Sequence, residues 1–341
     1  RIRDLQEGLN HLIPQIEPYL DKVELIIVNN ASSDGTKGWL DDLKKKFPWI
    51  NILHNEKNVG FDGNTIRCIR ASTGNYIAIL SDDDRYVPGA IPKILATIAE
   101  RDYSLIFLNY YGYYKDVNTR SVIVAPEVDV VFEKAHEIVQ QPGVGHYSGY
   151  VYAGPQAREI LEKVLRIREV KGKQHADEAI QVRSGIYNEV ALRLTAGNKL
   201  PALFIGRRLM AAQIRNEYDA CGIPPGKGKF DEIVTGLYEF YEELAQEGLL
   251  FHEDLKVHYL TALANVPKVT IQSVPYMSRD ELRVISSKVR RIFGRERRVG
   301  LWLWILEHGH FRVVRICCLM IYQLGRRLIK LKYIFRSKKV A

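Results

Sequence analysis

An α/β fold, with a mostly parallel sheet flanked by helices and a basic helical C-terminal region, is what this sequence predicts. Three observations predict it. Short apolar, β-branched runs alternate with helix-like segments through the first two-fifths of the 341 residues. A Gly/Pro-rich break, Ile223-Pro-Pro-Gly-Lys-Gly, then gives way to helical periodicity. The excess positive charge is confined to the end of the chain.

The elements follow in order. Val23–Val28 is a continuous β-branched run, expected as a buried parallel strand. A helix is expected from Thr36 to Lys46, a strand at Ile50–His54, a helix from Phe61 to Ser72 and a buried strand at Tyr76–Leu80. Pro88–Glu100 reads as helix and Ser104–Leu108 as strand. Alternation of this kind builds βαβ units with helices on both faces of one sheet. A helix-like segment, Ile2–Leu20, leads directly into the first of these strands, whereas a parallel α/β domain ordinarily opens on a strand. The first strand is therefore expected to be missing, with the chain truncated at its N-terminus. Further on, Ser121–Val124 and Ala202–Ile205 read as strands and Gly154–Arg168 contains a helix. Phe230–Glu247 and Glu253–Ala264 read as helices, and Pro267 and Pro275 bracket an expected linker. The boundaries expected are a nucleotide-binding and catalytic domain over 1–222, a helical extension over 223–277 and a basic tail over 278–341.

Hydrophobic content of 46% and charged content of 26% belong to a folded globular chain rather than a disordered one. The net charge of +9 hides an asymmetry. Residues 279–341 hold 17 Lys/Arg against four Asp/Glu, and the other 278 residues hold 32 against 36. The body is slightly acidic and carries no nucleic-acid recognition motif, so nucleic acid is not an expected partner. Cys68, Cys221, Cys317 and Cys318 form no C-x-x-C pair and no zinc spacing, and are read as reduced thiols of a cytoplasmic protein. No apolar run reaches the roughly 18 residues of a spanning helix.

The chemistry-bearing residues fall at strand ends, where ligands of open α/β sheets sit. Ser81-Asp82-Asp83-Asp84 follows the strand Tyr76–Leu80. Three adjacent carboxylates repel one another unless something positive is bound, and hard divalent cations such as Mg²⁺ or Mn²⁺ take oxygen ligands of this kind. Asp82 and Asp84, two residues apart, are expected to face one pocket; the competing reading is a solvated loop or helix cap. Asn29-Asn30-Ala31-Ser32-Ser33-Asp34-Gly35 is a second strand-end loop, whose Asn30 and Asp34 offer hydrogen-bonding groups to a base; the competing reading has Ser33 or Asp34 capping the next helix. Asn58-Val-Gly60-Phe-Asp-Gly63-Asn64 is a third, with glycines that let a ligand approach and a helix N-terminus for phosphate.

These pieces carry a resemblance. V-x-x-I-I-V-N-N-A-S-S-D-G-T, then N-V-G-F-x-x-N, then T-G-N-Y-I-A-I-L-S-D-D-D, all between Val23 and Ile94, resemble the nucleotide-binding half of family 2 glycosyltransferases with the GT-A fold, which is Rossmann-like. The G-F-D-x-N variant is similar to bacterial enzymes that add sugars to O-antigen or capsule repeat units. The resemblance implies an inverting, metal-dependent transferase with a nucleotide-diphosphate sugar donor and a glycan or lipid-linked acceptor. By resemblance Asn30 contacts the base, Asn58 and Asn64 lie near ribose or diphosphate, Asp82 contacts ribose or sugar, and Asp84 binds Mg²⁺ or Mn²⁺. The donor-binding set is then Asn30, Ser32, Asp34, Asn58, Gly60, Asn64, Asp82 and Asp83, and the metal set Asp84 with Asp82. Three features depart from the family pattern. Its first strand, ending in a P-T-Y-N-like sequence, is absent. Asn30 stands where many members have Asp, and Gly63 where many have Arg. Arg67 or Arg70 could supply that charge, although both read first as residues of a solvated helix face.

Inverting transfer needs a base for the acceptor hydroxyl. Family members usually carry it about 90–100 residues after the acidic triplet, and His175-Ala-Asp177-Glu178 falls there. By resemblance Asp177 is the expected base, since the family's spacing from this Asp to a following Arg fits Arg183, and Glu178 is the alternative; both also suit the first turn of a helix. Gly145–Tyr152 is Gly- and Tyr-rich, suited equally to an acceptor site or to an aromatic core strand. Arg207, Arg208 and Arg215 could reach a diphosphate or lie on the surface.

In the tail, Trp302, Trp304, Phe311 and Ile316 alternate with Arg312, Arg315, Arg326, Arg327 and Lys330. Tryptophans and basic residues on amphipathic helices suit an anionic membrane interface, where each basic residue contributes about 1 kcal/mol. A location peripheral to the inner face of the plasma membrane follows; the competing reading is a helix packed on the body. Two other function classes stay open. A nucleotidyltransferase, or another enzyme acting on nucleotide diphosphates with a metal, would want a Gly-rich phosphate loop with Lys, and none is found. A non-catalytic membrane-anchored protein of the same fold would not need the intact triplet.

Overall fold

The computed structural model describes residues 2–113, 122–123, 125–141, 143–172, 186–213, 234–250 and 252–321. The chain divides into two compact units, 1–174 with 184–221, and 175–183 with 222–341.

The first unit opens on α1 (Ile2–Ile16), whose Leu9, Leu12, Ile13 and Ile16 recur at helical spacing and are buried. Next come β1 (Ile26–Asn29), α2 (Thr36–Lys46), β2 (Asn51–His54), α3 (Gly60–Ala71), β3 (Tyr76–Ala78), β4 (Arg85–Tyr86), α4 (Ala90–Glu100) and β5 (Leu105–Tyr113). The unit continues with β6 (Val122–Ile123), β7 (Val130–Phe132), β8 (Tyr150–Ala153), α5 (Gly154–Gly172), α6 (Ile186–Thr195) and β9 (Ala202–Gln213). The expected alternation is present, and α2 has the predicted bounds. The strand expected at 104–108 runs on to Tyr113, and the one at 202–205 to Gln213, because the two pair with each other along their whole lengths.

The larger sheet is mixed. Its strand order is β3-β8-β5-β9-β4, with β6 on β5 and β7 on β9. β5 runs parallel to β9 and antiparallel to β8. β1 and β2 form a separate parallel pair. Among the described residues no strand pairs with the other edge of β1, and Ile26, Ile27 and Val28 are half-buried rather than buried as expected.

The core is centred on β5, buried along all nine residues. Phe107 stacks on Phe204 at 6.2 Å and meets Tyr150 edge-on at 5.1 Å. The β5–β9 register shifts between Leu108 and Tyr110. Buried Asn109 stabilises this bulge: its Nδ2 donates to Gly206 O at 2.7 Å and Pro126 O at 3.1 Å, and its Oδ1 accepts from Tyr110 N at 2.9 Å. Gly206 passes so close to residue 128 that an added Cβ would lie 2.1–2.4 Å from its backbone N, C and O.

The second unit contains α7 (Gly236–Gln246), α8 (His252–Ser273), α9 (Arg279–Phe293), α10 (Gly300–His308) and helical residues 312–321. The expected linker at Pro267 is instead the interior of α8. Val266, Val269 and Thr270 are buried around it, and their packing outweighs a proline cost of about 3 kcal/mol. Ser278 begins α9 with a capping box, in which Glu281 N donates to Ser278 Oγ and Ser278 N to Glu281 Oε2. Val266, Leu282, Ile285, Phe293, Leu303 and Leu306 share one core. The boundary expected near 278 therefore falls inside a single packed unit. No helix among the described residues is long and apolar enough to cross a membrane.

Gly206→Ala is expected to destabilise the protein by about 1–3 kcal/mol, since rigid backbone must move to admit the methyl group. The midpoint of urea unfolding checks this.

Candidate active site

Two loops and two turns meet at the strand ends of the first unit. The loop after β1 is shaped by Ala31, which adopts a left-handed φ of 53°. Asn30 leaves this loop to clamp the next one. Its Nδ2 donates to Asn58 Oδ1 and Gly60 O, both at 3.0 Å, and its Oδ1 accepts from Val59 N at 2.9 Å and Asn55 Nδ2 at 3.0 Å. Both amide hydrogens and both acceptor positions are thus engaged within the protein. Asn58 Oδ1 also accepts from Gly60 N at 2.9 Å, in a turn whose φ of 75° at residue 60 favours glycine. Asn64 Oδ1 accepts from Asn55 Nδ2 at 3.0 Å, and its Nδ2 donates to Val28 O at 3.3 Å.

Behind this clamp lies a layer that sequence reasoning missed. Buried Asn29 Nδ2 donates to His54 Nδ1 at 3.2 Å, and His54 Nε2 lies 3.1 Å from Asp41 Oδ1. The Nε2–H tautomer satisfies both contacts. Asn29 Oδ1 accepts from Ser32 N at 3.2 Å, and so places that residue of the loop. Arg67 is half-buried and donates to His54 O and Asn55 Oδ1, rather than standing on a solvated face. Arg70 does stand on the exposed face and pairs with Glu162 at 2.7 Å. Asp34 precedes the Gly35 N-cap of α2: its Oδ1 accepts from Thr36 N and Thr36 Oγ1, and its Oδ2 from Ile2 N, so it joins the starts of α2 and α1. The Thr36 hydroxyl first, and then the Ile2 amide, hold its carboxyl well below the usual aspartate range.

The acidic triplet forms a β-turn, Asp84 N donating to Ser81 O at 3.3 Å. The turn does not make Asp82 and Asp84 equivalent. Asp82 and Asp83 are half-exposed and lie around Ser81 Oγ, at 3.4 and 2.6 Å. Asp84 is only 3% exposed. Its Oδ2 accepts from Ser148 Oγ at 2.5 Å and His146 Nε2 at 2.8 Å, and its Oδ1 from Gln213 N at 3.1 Å. It caps no helix. Three hydrogen bonds leave a carboxylate with about one acceptor position in reserve. Arg85 follows, buried; it donates to Glu7 Oε2 at 2.6 Å and to the Tyr113 hydroxyl, and Tyr113 in turn donates to Asp83 O. Burial, ahead of the opposing Arg85 charge, pushes the Tyr113 hydroxyl up to about 12, so it stays protonated and able to donate.

The turn at residues 146–149 joins the two halves. β8 runs antiparallel to β3, which sets the start of β8 beside the acidic turn. Ser148 Oγ accepts from Ser81 N at 2.8 Å while donating to Asp84. Tyr147 OH lies 3.2 Å from Thr65 Oγ1, and its ring meets Phe61 at 4.8 Å, both in the first half of α3. His146 stacks on Tyr110 at 4.7 Å. An unbroken path of contacts therefore runs from Asn30 through Asn58–Gly60, Phe61 and Tyr147 to Ser148 and Asp84. Tyr150 and Tyr152 are buried core residues of β8, so only the start of the Gly/Tyr-rich segment belongs to this rim. Arg208 pairs with Glu127. Asp177, Glu178, His175, Arg183 and Arg215 lie outside the described residues.

Asp82, Asp83 and Asp84 bring three carboxylates to a partly exposed turn, although their oxygens do not all lie within 4.8 Å of one another. That set suits a hard divalent cation such as Mg²⁺ or Mn²⁺.

Residues 1–156 match the model of glycosyl transferase family 2. This part of the chain is similar to that family. Similar proteins include a putative teichuronic acid biosynthesis glycosyltransferase, TuaG of Bacillus subtilis, 26% identical over 106 residues, which are 31% of this chain and 41% of TuaG. Glycosyltransferase GlyG of Streptococcus pneumoniae is 23% identical over 218 residues, 63% of this chain and 70% of GlyG. Among solved structures, S. aureus TarS 1-349 in complex with UDP-GlcNAc superposes with a TM-score of 0.53 at 14% identity, covering 95% of this chain and 88% of that one. The shared fold is GT-A.

Two outcomes test the loop architecture. Asn30→Ala strands Val59 N and removes one of the two donors to Asn58 Oδ1, and is expected to speed amide exchange of residues 58–60 by about 10- to 100-fold, as hydrogen–deuterium exchange would read. Asp34, whose folded pKa is depressed, contributes stability above its unfolded pKa and loses it as pH falls. The gap in Tm between wild type and Asp34→Asn should therefore narrow below about pH 4; thermal melts from pH 6 down to pH 3 measure it.

Proposed function

We propose that the chain is a metal-dependent, inverting glycosyltransferase. It moves a sugar from a nucleotide-diphosphate sugar to a glycan or lipid-linked acceptor in the synthesis of a bacterial surface polysaccharide. One observation carries this reading: the path of contacts that joins the Asn30 and Asn58–Gly60 loops to Asp84 through Tyr147 and Ser148. It sets an acidic turn and a helix N-terminus on one rim, the pairing needed to hold a diphosphate with its counter-charge. The family of residues 1–156 and the relatives' names, one of them in teichuronic acid biosynthesis, support the reaction class and the pathway class.

In this reading Asn58, Gly60 and Asn64 form the phosphate and ribose side, with Ser32 and Asp34 at its edge. Asn30 acts first as the clamp that shapes that side, and its contact with the base requires it to exchange one of its present partners. Asp82 and Asp83 face the ribose and sugar. Asp84, with Asp82, holds the divalent cation, which when bound supplies positive charge to the leaving diphosphate. Asp177 accepts the acceptor hydroxyl's proton as that oxygen bonds to the anomeric carbon, and the bond from that carbon to the diphosphate oxygen breaks on the opposite face. Glu178 is the alternative base.

Calorimetry with a nucleoside diphosphate and Mn²⁺, followed by a transfer screen over nucleotide-sugars, tests the proposal. Metal-dependent binding is expected, and at least tenfold weaker binding with Asp84→Ala. Asp177→Asn should bind donor normally while transfer falls by about 10²–10⁴-fold, the usual worth of a general base. Absence of metal-dependent nucleotide binding contradicts the enzyme reading, and normal turnover by Asp177→Asn rejects the choice of base.

A further inference from the structure

The end of the second unit carries apolar side chains on two opposite faces. Helical residues 312–321 pack Val314 and Cys318 against the core, Cys318 being 3% exposed. A surface helix packed on one side ordinarily turns polar side chains outward. Here Val313 (71% exposed), Ile316, Met320 (64%) and Ile321 face solvent instead, at the i, i+3, i+7, i+8 spacing of one stripe. α10 continues the pattern. It commits Leu303 and Leu306 to the core but leaves Leu301 (61%) and Trp304 (51%) exposed. The two helices' exposed residues are linked by ring contacts: Trp304 stacks on His308 at 4.7 Å, and His308 lies 6.0 Å from Phe311. Exposed apolar side chains thus recur from Leu301 to Ile321.

The charge around these side chains says what covers them. Residues 279–341 hold 17 Lys/Arg against four Asp/Glu, and residues 322–341 alone hold seven against none. All four acids are spent on basic neighbours or on the α9 cap: Asp280 on Arg283, Glu296 on Arg298, Glu307 on Arg290, and Glu281 on Ser278 N. Exposed Arg312 stands between Phe311 and Val313. A protein partner would meet uncompensated positive charge beside apolar side chains. An anionic lipid surface satisfies both, headgroups taking the arginines and the acyl boundary taking Trp304, Phe311 and Val313. With no helix long enough to span among the described residues, the apolar side chains lie along the surface.

We infer that residues 301–321 dock this protein, side-on, on an anionic membrane through Leu301, Trp304, Phe311, Val313, Ile316 and Met320. The inference stands apart from the catalytic reading, because it uses only the second unit.

Sedimentation of the full chain with vesicles of phosphatidylcholine alone, or with a third phosphatidylglycerol, tests it. The expected result is at least tenfold stronger binding to the anionic vesicles, reduced in 0.5 M salt. The triple variant Trp304→Ser/Phe311→Ser/Val313→Ser alters exposed side chains only, and should lose at least tenfold of that binding with an unchanged Tm. Equal binding by the triple variant, or a wild-type protein that stays in the supernatant, overturns the inference. So does a wild-type protein that is dimeric without lipid while the triple variant is monomeric, since a second copy would then be the occupant. Normal transfer to a soluble acceptor in any of these cases leaves the proposed function standing.

Discussion

The buried carboxylate of Asp84 is the constraint on which the site depends. A carboxylate at 3% exposure is tolerated only where its oxygens are hydrogen-bonded. The fold supplies the three donors from two separate strand ends: the Ser148 hydroxyl and the His146 ring before β8, and the Gln213 amide at the end of β9. Those donors are available only because β8 runs antiparallel to β3, and β9 antiparallel to β4. The sheet topology and the acidic turn therefore specify each other. The same turn that satisfies Asp84 also sends Tyr147 to the first half of α3. A local requirement for charge compensation thereby becomes the link between two loops far apart in sequence.

Charge near the turn is arranged with the same economy. Arg85 is adjacent to the triplet, yet its guanidinium is drawn to Glu7 of α1 and to Tyr113. Asp82 and Asp83 keep their half-exposed places around Ser81 Oγ. α1 approaches the turn closely: a Cβ on Gly8 would lie 3.6 Å from Asp84 O. The start of the same helix is held by Asp34. One helix thus braces the loop after β1 and the acidic turn together.

Much of this was legible in the sequence. Alternating runs predicted α2, β2, α3, α4 and α5 closely, because each pairs an apolar stripe of one period with clear turn chemistry. The mixed character of the larger sheet was not legible, since strand direction is set by pairings such as Tyr76 with Ala153 that no local pattern encodes. Asn30, Asp34 and Asp84 were singled out by type and place, but their partners were not. His146 and Ser148 sit some 60 residues from Asp84, and His54 some 25 from Asn29; neither separation leaves a spacing to read. Arg67 looked like a surface residue because helical periodicity places it without saying what the next loop brings over it. Pro267 misled for the opposite reason: a strong local breaker was overruled by the burial of Val266 and Val269. In the tail, composition identified apolar and basic character correctly. Only packing separates Leu303 and Leu306, which build the core, from Leu301 and Trp304, which do not.

The central claim is that the asparagine loops and the acidic turn form one rim, joined by residues 146–149. A crystal structure with a nucleoside diphosphate and Mn²⁺ tests it most directly. The account predicts a diphosphate lying between the start of α3 and the 81–84 turn, touching both, with Tyr147 and Ser148 still bridging them. A nucleotide bound elsewhere, or the two loops found apart with the bridge broken, would contradict it.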